Sequence, residues 1–252
     1  MTMLSSIVGQ CGQTVGLNLP YPSVCQLCYG DAPCAANGFV CLVCLGRLLP
    51  VRPPVCGHCG SPLEGVPPDS LLCAHCSGRL WQFDFALSGW AAAGVLREVI
   101  HRYKYEGGMW FENLLAGLFV RRFVGALGMG NWEAIVPVPL HQRRQRERGF
   151  NQAEVLARAI GMAEGMRVRR DLVNRVRDTD TQSRLSRQER LENVRHAFAP
   201  VPRADVPEQV LLVDDVMTTG ATASACSEAL RALGVQRIGV LTLARAGLSM
   251  GN

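Results

Sequence analysis

Four Cys-x-x-Cys pairs constrain this chain more than any other feature: Cys25 and Cys28, Cys41 and Cys44, Cys56 and Cys59, Cys73 and Cys76. The spacers between successive pairs are 12, 11 and 13 residues. A two-residue gap lets both thiolates of a pair face one ion from a tight turn, and two such turns complete a tetrahedral zinc site. The reading is two structural Zn2+ ions, because four thiolates leave no open coordination position. The spacing is compatible with sequential pairing, which makes two consecutive zinc ribbons, and with a cross-braced pairing of first with third and second with fourth. Redox pairs of this type occur singly beside a βαβ unit, unlike this fourfold pattern. So short a segment cannot assemble a core alone, and metal binding supplies what the core lacks. Cys11 and Cys34 have no partner at ligand spacing, and His58 and His75 read as turn residues rather than ligands.

Ten of the 11 cysteines lie between residues 11 and 76, along with most of the prolines, and the pattern changes at Trp81. The expected organisation is an extension at 1–20, a double zinc ribbon at 21–80 and a second domain at 81–252. A chain that is 48% hydrophobic and 19% charged is not disordered. No apolar run reaches the roughly 18–20 residues of a membrane span. The first 20 residues contain no Lys or Arg, where a secretory signal starts basic. The expectation is a cytoplasmic protein without membrane insertion, in a compartment where disulfides are rare.

Charge is uneven. Residues 1–80 carry 3 Arg against 3 acids, whereas residues 141–203 carry 15 Arg against 8 acids. The basic stretch fits an anionic partner, phosphate or nucleic acid, or else a solvated Arg-rich face. Each zinc with four thiolates adds negative charge to the cysteine segment, so the basic stretch would dominate contact with nucleic acid. Of 26 basic residues only Lys104 is a lysine, a compact ammonium among guanidinium groups.

Residues 210–222 read VLLVDDVMTTGAT. Val210, Leu211, Leu212 and Val213 form a short β-rich run typical of a buried parallel strand. Two acids follow, Asp214 and Asp215, then a loop containing Thr218, Thr219, Gly220, Ala221 and Thr222. A helix comes next, with Ala223, Cys226, Leu230 and Leu233 at its apolar positions and Gly234 closing it. Residues 235–243 read as another strand, completing a βαβ unit. The loop therefore lies at the carboxyl end of a parallel strand, where α/β folds bind ligands. Gly220 permits close backbone approach, the helix N-terminus favours an anion, and the threonines add hydroxyl donors. Asp214 and Asp215 can accept hydrogen bonds from vicinal hydroxyls. Together these groups suit a ribose 5-phosphate.

The segment resembles the signature of type I phosphoribosyltransferases that binds PRPP (5-phosphoribosyl 1-diphosphate). The resemblance implies an α/β fold with a mainly parallel sheet flanked by helices, here preceded by a zinc-ribbon domain. It implies that Asp214 and Asp215 are catalytic residues holding the ribose 2- and 3-hydroxyls. Met217, Thr218, Thr219, Gly220, Ala221 and Thr222 would wrap the 5-phosphate. Mg2+ would accompany PRPP, bridging the diphosphate and ribose hydroxyls. Residues 134–140 read as a strand ending in prolines, and the family's pyrophosphate loop would fall at about 138–141. Arg143, Arg144, Arg146 and Arg148 follow, placing charge near the diphosphate, with bidentate geometry available. Asn151 can cap a helix to about Met162, with Ala153, Leu156, Ala157 and Ile160 on its apolar face. Residues 86–108 read as a strand and a helix closed by Lys104, Tyr105 and Gly107. Between a strand near 168–173 and Phe198, residues 175–198 are polar. They occupy the place of a loop that closes over the site, or of an ordinary surface loop. Thr181, Gln182 and Ser183 stand near its start, and Arg187, Arg190 and Asn193 fall on one face of a short helix.

Four cysteine pairs with KYEG, VPVPL, RERGFNQ, TQS and VDDVMTTGAT together resemble the ComF family (ComFC or GntX-like proteins), from about Val24 to Ala246. That resemblance implies a role in natural competence, in the uptake or use of single-stranded DNA, or in a nutritional route. One reading is phosphoribosyl transfer to an acceptor that the motifs do not identify, assisted by Lys104, Arg143, Arg146 and Arg148. The alternative is a PRPP- or phosphate-binding protein without turnover that holds single-stranded DNA through the 141–203 region. Stacking aromatics are scarce there, with only Phe150 and Phe198. A third reading is a scaffold for a DNA-uptake helicase or processing proteins.

Overall fold

The computed structural model describes residues 24–30, 37–63, 72–125, 130–178, 194 and 196–247. In chain order the elements are α1 (Leu42–Leu45), β1 (Phe85–Ala91), α2 (Gly94–Tyr105), α3 (Glu112–Phe123), β2 (Ala134–Pro137), α4 (Gln142–Arg148) and α5 (Gln152–Glu164). Then come β3 (Val173–Arg175), β4 (Phe198–Pro200), β5 (Gln209–Met217), α6 (Ala221–Ala232) and β6 (Arg237–Arg245). A 3-10 turn at Met109–Phe111 leads into α3.

Four strands form one parallel sheet in the order β1-β6-β5-β2, and β3 and β4 pair antiparallel beside it. The central strands are apolar because both faces are covered. Leu211, Val213, Leu241 and Leu243 pack against Leu96, Val99, Leu115 and Leu156 of α2, α3 and α5. Val210, Leu212, Ile238 and Val240 pack against Ala223, Cys226 and Leu230 of α6 and against the β3–β4 pair. Each such aliphatic side chain contributes about 1.5–3 kcal/mol on burial.

Among the described residues, the buried side chains of the cysteine segment share the cores of the α/β sheet. Cys25, Val40, Cys44, Leu45 and Leu48 share one cluster with α2 and α3. Cys56, Cys59 and Cys76 share the other with Phe83, Ala86, Met217 and Ala221. Gly60 shows how close the docking is. At φ +68 it lies against the Ala86 carbonyl, leaving no room for a β-carbon.

Three local expectations change. β5 does not stop at Val213 but continues through both acids to Met217, because β6 pairs with it to Arg245. Arg143 to Arg148, read only as a run of charge, form a helix, α4. The strand expected near 168–173 is an isolated parallel bridge between Ile135 and Val168, followed by β3 starting at Val173. Among the described residues, no helix is long and apolar enough to cross a membrane.

Candidate ribose-phosphate site and metal centres

The carboxyl end of β5 carries Asp214 and Asp215, and the turn to α6 carries Thr218 to Gly220. Alternation along a strand sends neighbouring side chains to opposite faces. Asp215 accordingly turns toward the α2–α5 side, where it shares a small cavity with Tyr103, Gln152 and Leu156. Its carboxylate pairs with the Lys104 ammonium at the last turn of α2, and both side chains are largely buried. The lone lysine is thus drawn to the acid pair by the packing of α2 on the sheet.

Asp214 turns to the other side, where its charge interacts with Arg175 of β3 and with Cys226 of α6. Asp214 is half-buried. One oxygen accepts from the Asp215 backbone N–H at 2.8 Å. Burial, then the neighbouring Asp215 charge, pushes Asp214 up to about 7, against partial relief from that backbone bond, Lys104 and Arg175. Burial also lowers the Arg175 guanidinium from its ordinary range and pushes the Cys226 thiol up.

In the turn, Gly220 has φ +85 and N-caps α6. Thr219 is buried, and its hydroxyl oxygen accepts from the Ala221 N–H at 3.3 Å. Thr218 and Thr222 are partly exposed, whereas Met217 and Ala221 are buried. A β-carbon on Gly220 would lie 2.9 Å from the Met217 methyl and 3.1 Å from the Trp81 ring. Close approach at this glycine is therefore used by Trp81 on that side.

α4 disperses its arginines, since successive helical residues rotate by about 100°. Arg143 pairs with Glu147 at 2.9 Å and, with Arg144, with Asp178. Arg146 is exposed. Arg148 reaches across to α2. It donates to the Gln152 amide oxygen and to the Tyr105 hydroxyl, each at 3.1 Å, and stacks 4.9 Å from the Tyr105 ring centroid. Arg148 thus meets the end of α2 that carries Lys104, whereas Arg143 and Arg144 meet Asp178. The 138–141 loop is anchored by Asn151, whose amide donates to the Val138 carbonyl at 3.0 Å while its oxygen caps α5.

Two four-cysteine clusters form: Cys25, Cys28, Cys41 and Cys44, and Cys56, Cys59, Cys73 and Cys76, each with its sulfurs within 4.8 Å of one another. The sequential pairing is the one realised. Each cluster can hold a metal ion. Backbone N–H groups of Cys41 and Cys73 point at the sulfurs of Cys25 and Cys56, at 3.4 Å in each case. Arg245 supplies a further test of fit. Its guanidinium is buried and donates to the Cys59 carbonyl at 2.6 Å and to the Cys59 sulfur at 3.6 Å. A buried cation needs a counter-charge, which a metal-bound thiolate provides and a neutral thiol does not. His58 and His75 belong to neither cluster, as expected.

Cys11, Cys34, Thr181, Gln182, Ser183, Arg187, Arg190, Asn193 and the 1–20 extension lie outside the described residues. Arg175, Arg245 and Gln152 were not legible as site residues. Each reaches the acid pair, the cysteine cluster or the loop only through pairings distant in sequence.

An all-parallel sheet with two acids and a Thr-Thr-Gly turn at its carboxyl edge, joined to two four-cysteine clusters, defines a phosphoribosyltransferase-like α/β fold with an N-terminal segment that fits a double zinc ribbon. No protein-family model matches the chain. It is 35% identical over 227 residues to Competence protein F of Haemophilus influenzae, covering 88% of this chain and 96% of that protein. It is 32% identical over 236 residues to DNA utilization protein YhgH of Salmonella typhi, covering 90% and 99%. Competence protein ComFC of Streptococcus pneumoniae is 29% identical over 151 residues, covering 60% and 64%. The chain belongs to the ComF family.

Proposed function

We propose that this chain binds PRPP at the carboxyl edge of its sheet and acts on it in the handling of single-stranded DNA. The observation that carries the reading is the placing of Asp214 and Asp215 at the end of β5, directly before a glycine turn and the N-terminus of α6. In this reading the two carboxylates take the ribose hydroxyls, and residues 217–222 take the 5-phosphate on backbone N–H groups favoured by the helix dipole. Lys104, Arg143, Arg146 and Arg148 would supply positive charge to the departing diphosphate. Mg2+ supplies charge neutralisation of the diphosphate when bound with PRPP. Transfer would break the C1–oxygen bond, release pyrophosphate with its electron pair, and form a bond from C1 to the acceptor. The two cysteine clusters would each hold a structural zinc ion, leaving no coordination position for chemistry.

The DNA part of the proposal draws on the relatives, named a competence protein and a DNA utilization protein. The Arg-rich 141–203 stretch would meet the strand's phosphates, a helicase or processing protein of DNA uptake would be a partner, and the cytoplasm would be the site of action. One observation favours binding without turnover as a second reading. The Asp215 carboxylate is engaged by Lys104, which suits holding a ligand more than abstracting a proton.

The deciding experiment measures pyrophosphate release from Mg2+–PRPP against nucleobases, amines and single-stranded DNA, with Asp214→Asn/Asp215→Asn as control. Release that depends on one acceptor and vanishes in the control establishes transfer. PRPP binding with no release across the panel favours the second reading. Unchanged PRPP affinity in the folded double variant overturns the ribose assignment.

A further inference from the structure

We infer that His75, inside the last cysteine pair, is a positioning residue for the phosphate turn, and that the second cysteine cluster is thereby part of the ribose-phosphate site. The inference rests on the reading of residues 217–222 as the 5-phosphate cradle.

His75 Nε2 lies 3.1 Å from the Thr219 carbonyl oxygen. A carbonyl can only accept, so the ring N–H donates. This bond fixes more than one atom. The peptide between Thr219 and Gly220 is planar and trans, so its C=O and N–H point in opposite directions. Holding the Thr219 carbonyl toward His75 aims the Gly220 N–H away from the cysteine cluster. Gly220 sits at φ +85, where a glycine turn has more than one accessible orientation and an external bond selects one.

Three further contacts brace the same turn. Trp81 covers Gly220, and the His75 ring meets Trp81 edge-on at 5.3 Å between centroids. Arg245 stands opposite Met217 in the β5–β6 register and ties that strand end to Cys59. The Ala246 N–H donates to the Met217 carbonyl at 2.9 Å. Both ends of the turn are thus held by residues fastened to Cys56, Cys59, Cys73 and Cys76, or packed against them. A cradle of backbone N–H groups binds an anion well only if it need not be ordered on binding. The cluster supplies that order from outside the α/β sheet.

The test uses the full chain with its metal bound, and the probes are ribose 5-phosphate and inorganic pyrophosphate in calorimetric titrations. His75→Ala removes one hydrogen bond, so ribose 5-phosphate affinity should fall about three- to tenfold. Pyrophosphate affinity should not change, and metal content should stay that of the unaltered chain. His75→Gln, whose amide offers an N–H to the same carbonyl, should recover most of the loss. Backbone amides of Gly220 and Ala221 should exchange with solvent faster in His75→Ala than in the unaltered protein. His75→Phe fills the space beside Trp81 without an N–H and should behave as His75→Ala. Equal ribose 5-phosphate affinity and equal exchange in His75→Phe and the unaltered chain would overturn the inference. Equal losses for both probes in His75→Ala would also overturn it, by showing general damage. If the unaltered chain binds no ribose 5-phosphate, the PRPP reading fails, and amide exchange alone then decides whether His75 holds the turn.

Discussion

Lys104 and Asp215 form the ion pair nearest the proposed ribose, with side-chain exposures of 16% and 15%. Removing one member of so enclosed a pair strands the other charge away from water. Lys104→Met should therefore cost on the order of 3 kcal/mol of stability in urea unfolding. Lys104→Met/Asp215→Asn should cost less than the two single changes added together, the mark of direct coupling. Asp214 behaves differently. Its carboxyl is raised to about 7, first by burial and then by the Asp215 charge. The ordinary value is about 3.9 in an unfolded chain, so between those limits the native state holds a proton that the unfolded state has released. This group's contribution to stability is therefore full below about pH 4 and is lost as pH rises to 7. Ribose binding should run the opposite way, because the carboxylate accepts from hydroxyls and the protonated form accepts less well. Ribose 5-phosphate affinity should strengthen from pH 6 to pH 8, and Asp214→Asn should flatten that part of the profile in calorimetry. Both acids were evident as a pair in the chain. Their separation to opposite sides of β5 was not, because it depends on β6 extending the strand past Val213.

Among the elements, the two turns that frame the site answer to different controls. The 138–141 loop depends on Asn151, which caps α5 with its oxygen and holds the Val138 carbonyl with its amide. Asn151→Asp keeps the cap and loses the donor, whereas Asn151→Ala loses both. Unfolding should show Asn151→Ala to be the less stable variant, with a cap loss of about 1 kcal/mol separating the two. The turn before α6 depends on Gly220. An alanine there meets both a positive φ and the Trp81 ring, so Gly220→Ala should lose about 1–3 kcal/mol and weaken ribose 5-phosphate binding. Equal thermal unfolding of Gly220→Ala and the unaltered chain would contradict the packing described. The glycine, the Asn cap and the helix that follows each were legible, because capping and left-handed turns leave local signatures. Helical α4 was not. A run of arginines reads equally as a solvated face, and what gives it direction is Arg148 meeting Tyr105 and Gln152.

For the molecule as a whole, two four-cysteine clusters predict two metal ions per chain by elemental analysis. Because the clusters share cores with α2, α3 and α6, chelation should not melt the cysteine segment alone. Proteolysis after chelation should open sites in α2 and α3 as well as between residues 24 and 80. Protection of the helices in chelated protein would contradict the shared cores. Much of this organisation follows from the chain by itself. Cysteine spacing dictates turns that can clamp an ion, the apolar run at 210–213 dictates a buried strand, and the acids, glycine and threonines after it dictate a polar turn at its end. These features are local, so a short stretch of residues is enough to specify them. Tertiary structure decided the pairing of the cysteines, the meeting of Lys104 with Asp215, and the approach of His75 to the turn before α6 and of Arg245 to the second cluster. Each joins segments separated by many residues, and such contacts exist only once packing of helices and ribbons on one sheet has fixed which surfaces face each other.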